Sequence, residues 1–525
     1  MLTFWIVVAA NTSFILLYTT GQTAFGWLLL VSLPLFVIGL CDKFQPHHSI
    51  LRNYPIIGHM RWLVESVRPY FRQYLIEGET EGSPIHRMYR SIVYQRAKQS
   101  LDTNPFGTKV DTERVGYEWL GHSLAAKFGC LDDKNLTTKI GNKQCKRPYK
   151  ASLFNISAMS FGALSDNAVM ALNKGAKLGG FYQNTGEGGL TPYHLKHGGD
   201  LVWQIGTGYF GCRDDSGNFD SEAFAKKASN SAVKMIEVKL SQGAKPSHGG
   251  ILPKEKLTEE IARFRQVATD KNVVSPPSHS VFNDPMGLLQ FVKRLRELSG
   301  GKPIGIKLCI GRCSEFFAIA KAMNETQIYP DFITIDGGEG GTGAAPLEFS
   351  NSIGMPLRDA IVFVDNTLTG MGFRKHVKII ASGKLFTAFH IVRILALGAD
   401  LCNSARGMMF AIGCVQSLSC NTNRCPTGVA TQDKRLSRGL VVTDKAERVY
   451  HYHAATLHAT AELLSAAALN STEEIQRGHI YRRMADYSIK SLADIYPRPA
   501  HRDYLEGNVP EALSSDFSSA NTMSF

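Results

Sequence analysis

From Ala151 onward the chain alternates short apolar or β-branched runs with helical stretches, and this alternation restricts the possible folds more than any other feature. Candidate strands lie at 153–157, 180–184, 201–205, 235–240, 304–309, 332–335, 378–381 and 400–404. Helical connections such as 166–178, 255–270, 285–298, 315–324 and 385–397 lie between them. Strands alternating with helices predict a parallel sheet. Eight such units favour a closed barrel over an open doubly wound sheet, and no GxGxxG follows a first strand to support dinucleotide binding. The expected fold class is α/β, a TIM (β/α)8 barrel, with an N-terminal transmembrane helical hairpin and C-terminal helices.

A barrel of this kind carries its chemistry on the loops that follow the strands. Ser157-Ala158-Met159-Ser160-Phe161-Gly162 follows the first candidate strand, and Asn184-Thr185-Gly186-Glu187-Gly188-Gly189 the second. Gln242-Gly243-Ala244-Lys245-Pro246 follows the fourth, Lys307 lies near the end of the fifth, and Asp336 to Gly343 follows the sixth. Glycine so concentrated at one rim implies backbone close to a ligand, or turns needing positive φ. A purely structural reading requires special turn chemistry in every rim loop by coincidence. The last two loops, Ser382-Gly383-Lys384 and Ala405-Arg406-Gly407, fit the phosphate site that such barrels build from backbone N–H groups.

No charged side chain occurs before Asp42. Two mostly apolar runs, 2–18 and 24–41, flank a polar turn at 19–23, and the polar patch Asn11–Ser13 interrupts the first. Each run is near the ~20 residues that cross a bilayer, so residues 1–41 are expected to form a transmembrane hairpin. A cleaved signal peptide would begin with a basic region, which the start Met1-Leu2-Thr3-Phe4-Trp5 lacks. Lys43, Arg52 and Arg61 follow the second run and place the body of a multi-pass protein on the cytoplasmic face. Residues 42–150 are basic and aromatic, and are expected to form a helical collar with lipid headgroup contact as a secondary role. The barrel is expected over 151–413, a cysteine loop over 414–432, and a helical extension with a disordered serine-rich tail from Ser514 over 433–525.

Lysine and arginine outnumber acids 58 to 46, a net charge of +12, but no nucleic-acid signature accompanies them. Membrane surface and acidic small molecules are the better partners. Of ten cysteines, Cys41, Cys130, Cys145, Cys212, Cys309, Cys313 and Cys402 are scattered, which does not suit a disulfide framework. Cys414, Cys420 and Cys425 form C-x5-C-x4-C followed by Pro426. Thiolates on a short irregular loop suit iron–sulfur ligation, and zinc or inert thiols are the competing readings. His451, His453 and His458 sit at no zinc spacing and are expected to line a helix over 444–468 that packs on the barrel.

Taken together, SAMSFG at Ser157, NTGEGG at Asn184, QGAKP at Gln242, SPP at Ser275, IKL at Ile306, GGTGA at Gly340 and the run from Cys414 to Gln432 resemble the synthase domain of glutamate synthase, in the same order. The likeness covers about 150–468, and the whole chain resembles the short, membrane-associated FMN-binding glutamate synthase family. The resemblance implies FMN across the barrel mouth, held by Ala158, Met159, Ser160, Gln204, Lys307, Gly341, Gly383, Arg406 and Gly407. It implies a [3Fe–4S] cluster on Cys414, Cys420 and Cys425, and catalytic or substrate-holding roles for Lys307, Glu187, Gln242 and Lys245. The implied reaction reduces 2-iminoglutarate, formed from 2-oxoglutarate and ammonia, to L-glutamate. Ammonia or an ammonia-supplying partner is implied, as is an electron donor of ferredoxin-like or NAD(P)H-reductase type. Neither a glutaminase domain nor a nucleotide-binding domain is legible, so glutamine hydrolysis is not expected here. Tyr209 stands where the family motif usually has Arg, and His248 where it usually has Glu. An FMN and iron–sulfur oxidoreductase with another substrate, or a membrane electron-relay protein, are the alternatives.

Overall fold

The computed structural model describes residues 1–100, 102–127, 131–132 and 136–525, so Cys130 lies outside the described residues. It divides into two compact units, Met1–Arg87 and Met88–Phe525.

The first unit is built on two apolar helices, α1 (Leu2–Thr19) and α2 (Phe25–Phe44), each long enough and apolar enough to cross a membrane. The patch that interrupts α1 faces its partner helix. Asn11 Nδ2 donates to the Ser32 carbonyl at 2.9 Å, and the Ser32 hydroxyl donates to Asn11 Oδ1 at 3.1 Å. Both polar groups are thereby satisfied between the two helices. A further helix, α3 (His59–Phe71), follows.

In the second unit, β1 (Phe154–Ile156), β2 (Tyr182–Asn184), β3 (Asp200–Ile205), β4 (Val233–Lys239), β5 (Ile304–Leu308), β6 (Phe332–Asp336), β7 (Lys378–Ser382) and β8 (Leu401–Ser404) form a closed parallel barrel in chain order. β8 returns to β1 with Cys402 opposite Phe154 and Ser404 opposite Ile156. Every strand is buried on both faces, because helices cover the outside and side chains fill the inside. All eight expected strands are present, shifted by no more than two residues at an end.

The connecting helices start at side-chain caps. Ser165 accepts from Ala168 N, Asp284 from Gly287 N, and Thr387 from His390 N. The helix Val442–Ala466 packs against Asp166–Gly179, where a Cβ on Gly175 would meet Val449 at 2.7 Å. Of the three histidines on that helix, His453 is buried, stacked on Phe181 at 3.8 Å and paired with the Ser152 hydroxyl at 3.0 Å. It is a core residue. His458 is exposed.

Three expectations require correction. The helix expected over 255–270 is broken into Lys254–Lys256 and Glu259–Arg265. Thr258 caps a fresh start, and Gln266 ends it in the left-handed conformation, so that Val273–Val274 can pair with Ile251–Leu252. The collar over 42–150 is divided between the two units and is helical only in part. Beyond Ala97 it forms strands, and the pair Thr137–Ile140 and Tyr149–Ser152 seals the bottom of the barrel. There Thr138 donates to Asp400 O, Asn142 N to Asp331 Oδ1, and the amides of Lys146 and Arg147 to Gly301 O. The tail from Ser514 is not disordered but helical over Glu511–Ser519, because Phe517 packs on Phe317 and Tyr504 at 5.2 and 6.1 Å.

A buried carboxylate fastens the C-terminal extension to the barrel. Asp365, 1% exposed on the helix Leu357–Gly370, pairs with Arg374 at 2.7 Å and with Arg477 and Arg498 at 2.9 Å. Asp365→Ala leaves the buried Arg477 guanidinium without a carboxylate partner, while Arg374 keeps Asp400 at 2.8 Å and Arg498 is half exposed. The substitution is expected to lower stability by about 3–5 kcal/mol in chemical denaturation.

Candidate functional site at the barrel mouth

The interior of the barrel is polar near its mouth. Glu237 of β4, 1% exposed, accepts hydrogen bonds from Asn184 of β2 at 2.8 Å, Gln204 of β3 at 2.6 Å and Thr334 of β6 at 2.5 Å. Gln204 is therefore held by the barrel interior through its amide nitrogen. Asn184 also accepts from Gly186 N at 3.0 Å and so shapes the loop after β2. Gly186 has φ +65°, and a Cβ there would come within 2.7 Å of Ser160 N. The loops after β1 and β2 thus touch backbone to backbone, which only glycine permits at this position. Ala158, Met159 and Ser160 lie on the first of these loops. Ser157 ties its base to β7 and β8, with its hydroxyl 3.1 Å from that of Ser382 and its amide donating to Ser404 O.

On the opposite side of the mouth, Lys307 of β5 is 5% exposed and faces Asp336 of β6 at 3.5 Å. The same Asp336 oxygen accepts from Gly243 N at 2.8 Å, which draws the Gln242–Lys245 loop toward β6. Gly341, Gly383 and Arg406 come from the loops after β6, β7 and β8. Arg406 donates to Glu339 O at 3.2 Å, and a Cβ on Gly341 would lie 2.8 Å from its Nε. Gly407 sits against Ser404 and Tyr452, where a Cβ would meet oxygens at 2.5 and 2.7 Å, so it is required by packing. Burial pushes both Arg406 and Lys384 below their ordinary pKa, and the charge of Arg406 lowers Lys384 further. Two cations crowded at one glycine-lined rim suit an anionic phosphate, so these residues fit FMN.

Beside the mouth lies a buried charged pocket. Glu187, from the loop after β2, pairs with Lys239 at the end of β4 at 2.8 Å, and Gln242, Lys245 and His248 line the same space. Lys245 is 2% exposed and donates to Ala344 O at 2.7 Å. Burial alone would raise the Glu187 carboxyl, but Lys239, Arg265 and Lys245 hold it below its ordinary value. Burial lowers Lys245 to about 8 and Arg265 to about 10, with the nearby Glu187 opposing both shifts. Lys239 and Arg265 escaped the reading of the sequence. A lysine inside the buried run of β4 was a visible signal for the first. Arg265 gave none, because only the broken helix delivers it to the mouth, where it donates to Phe161 O at 3.1 Å.

The two departures from the family motif are also placed. Tyr209, 1% exposed, accepts through its hydroxyl from Ser280 N at 3.1 Å and lies 3.0 Å from His279 Nδ1. It braces the segment after Pro277 instead of projecting a polar group into the pocket. His248 packs edge-on against Phe349 at 5.1 Å.

The cysteine loop is fastened to the rim. Gln432 donates to Gly162 O and Leu164 O at 3.2 and 2.8 Å, and the Ser165 hydroxyl donates to Gly428 O at 2.7 Å. Lys256 donates to Ala163 O at 2.5 Å and to Cys420 O at 3.3 Å. The thiols of Cys414, Cys420 and Cys425 therefore come from a loop joined to the one that carries Ala158–Ser160. Burial, together with the neighbouring Cys420 and Cys425, raises Cys414 to about 12. Burial would raise Cys425 also, but the Thr427 hydroxyl at 3.5 Å and the amides of Ala430, Thr427 and Val429 bring it below its ordinary value. N–H donors aimed at sulfur favour a thiolate, the form that ligates iron. Among the described residues, no three His, Cys, Asp or Glu side chains, these cysteines included, are gathered closely enough to hold one metal ion.

Glu187 supplies a pH test. Its folded pKa is depressed, so its ion pair stabilises the fold fully above its ordinary value near 4.5, and the effect is lost as pH falls through the lower folded value. The stability difference between the wild type and Glu187→Gln is expected to be constant above about pH 5.5 and to narrow below about pH 4 in urea titrations.

Comparison with known proteins gives a consistent set. A family model described as a conserved region in glutamate synthase matches residues 122–470. A "glutamate synthase large subunit-like protein YerD" of Bacillus subtilis is 37% identical over 89% of this chain and 98% of its own length. An "archaeal glutamate synthase [NADPH]" of Methanocaldococcus jannaschii is 35% identical, over 61% of this chain and 60% of its own. An "archaeal-type glutamate synthase [NADPH]" of Dehalococcoides mccartyi is 29% identical over 88% of this chain and 89% of its own.

Proposed function

The chain belongs to the glutamate synthase family and is an oxidoreductase of that type, and from this premise we propose that it reduces 2-iminoglutarate to L-glutamate. The observation that carries the reading is the junction of the cysteine loop with the rim loop after β1, next to a buried cationic pocket. FMN bound at the mouth would supply hydride chemistry, and a [3Fe–4S] cluster would supply single electrons. Ala158, Met159, Ser160, Gln204, Lys307 and Gly341 would hold the ring and its side chain, and Gly383, Arg406 and Gly407 the phosphate end. Cys414, Cys420 and Cys425 would hold the cluster.

The substrate groups are the work of the pocket. Condensation of 2-oxoglutarate with ammonia releases water, and addition of two electrons and two protons to the imine gives glutamate. Lys245 and Arg265 would pair with the carboxylates of 2-oxoglutarate, which needs cationic partners in a site closed to water. Glu187, held as a carboxylate by Lys239, would attract ammonium and orient it toward the carbonyl carbon. Gln242 would donate a hydrogen bond to the same substrate. Lys307 places positive charge at the mouth, where negative charge accumulates on reduction. Electrons would come from a ferredoxin-like or NAD(P)H-reductase partner. α1 and α2 would anchor the protein as a two-span membrane hairpin, with Lys43, Arg52 and Arg61 keeping the catalytic unit on the cytoplasmic side. A second reading, the same cofactors with a different substrate, is favoured by Tyr209 turning toward His279.

Anaerobically purified protein is expected to contain iron, sulfide and FMN, and its flavin is expected to bleach with L-glutamate. Reduced flavin that is indifferent to 2-oxoglutarate with ammonium, together with oxidised flavin indifferent to glutamate, rejects this substrate. Cys420→Ser is expected to lose iron while keeping most FMN; equal iron content in the variant rejects the ligand assignment. Lys245, cationic below its pKa of about 8, should bind dicarboxylate progressively less well as pH rises through that value. Lys245→Met is expected to raise KM for 2-oxoglutarate by about 10- to 100-fold and to remove this alkaline limb.

A further inference from the structure

The first unit carries a surface that neither the barrel chemistry nor the two long helices require. α3 continues into the wider turn Arg72–Ile76, and at 100° per residue one side of this segment presents Met60, Leu63, Val64, Phe71, Tyr74 and Leu75. These six side chains are between 54% and 73% exposed, and no residue of α3 is buried. Arg61, Arg68 and Arg72 fall together along the adjoining flank, and Glu65 is the one acid among residues 59–76. A soluble protein rarely leaves such a stripe in contact with water.

Its place in the unit is fixed by hydrogen bonds. Asp42, 4% exposed at the end of α2, lies 2.8 Å from His59 Nε2 and accepts from Ile56 N at 2.8 Å. The start of α3 is thus tied to the point where α2 passes from apolar to charged sequence. The start of α1 reaches the same place, since the Met1 amine donates to Asn53 O at 3.0 Å and the Thr3 hydroxyl to Pro55 O at 3.1 Å. Exposed Trp5, Phe44, Tyr54 and Trp62 gather at this end, with Lys43 5.3 Å from the Trp5 ring. Aromatic and basic side chains at one end of two spanning helices mark the headgroup level of a bilayer.

We infer that residues 59–76 lie in the plane of the membrane interface, with the apolar side among acyl chains and Arg61, Arg68 and Arg72 on anionic headgroups. The inference rests on reading α1 and α2 as the membrane anchor. The position of the stripe beside the hairpin's charged end, and the arginines along its edge, select a negatively charged lipid surface over a protein partner.

The test is hydrogen exchange on the full chain in nanodiscs of phosphatidylcholine, with and without phosphatidylglycerol. Amides of 60–76 are expected to exchange about ten-fold more slowly in the anionic discs. The triple variant R61E/R68E/R72E should lose that difference while residues 2–44 stay protected. Equal exchange of 60–76 in both discs, whether fast or slow, overturns the inference. Rapid exchange throughout 2–44 overturns the anchor reading itself, and this one with it.

Discussion

Glu237 is 1% exposed inside the barrel, and its hydrogen bonds link four of the eight strands. A buried carboxylate is tolerable only when its oxygens are fully engaged. Asn184, Gln204 and Thr334 provide that engagement, and each is thereby fixed in orientation. Asn184 passes the constraint outward by holding Gly186, and Gly186 in turn presses on the backbone of Ser160. The shape of the rim loops thus follows from polar contacts made inside the barrel.

The same dependence governs the charged pocket. Glu187 is carried on the loop that Asn184 and Gly186 shape, and it meets Lys239 because β4 ends beside that loop. Both groups are largely removed from water, so each makes the other's charge tolerable. Arg265 and Lys245 add positive charge around one carboxylate, an arrangement that suits the capture of an anion better than the closing of a simple pair. The cysteine loop is joined to this assembly through Gln432 and Ser165, which places the sulfur-bearing segment against the mouth.

The first unit follows a different physical logic. Its polar groups are satisfied within the unit, by Asn11 with Ser32 between the two long helices and by Asp42 with His59 of α3, and many of its apolar groups are left facing outward. That is the inverse of the barrel unit, where apolar side chains fill the interior.

Periodicity made the eight strands, most of the helices and the two apolar spans legible, because each reflects a local pattern of burial that repeats along the chain. Glycine and cysteine spacing marked the rim and the sulfur loop for a similar reason: a special backbone angle or a thiolate leaves few substitutes. The break in the 255–270 helix, the order of the tail around Phe517, the pairing of Lys239 with Glu187 and the arrival of Arg265 at the mouth were settled only by the tertiary structure. These depend on groups far apart in sequence being driven together by barrel closure and burial. No period or spacing in the chain encodes which distant partner a buried charge will find.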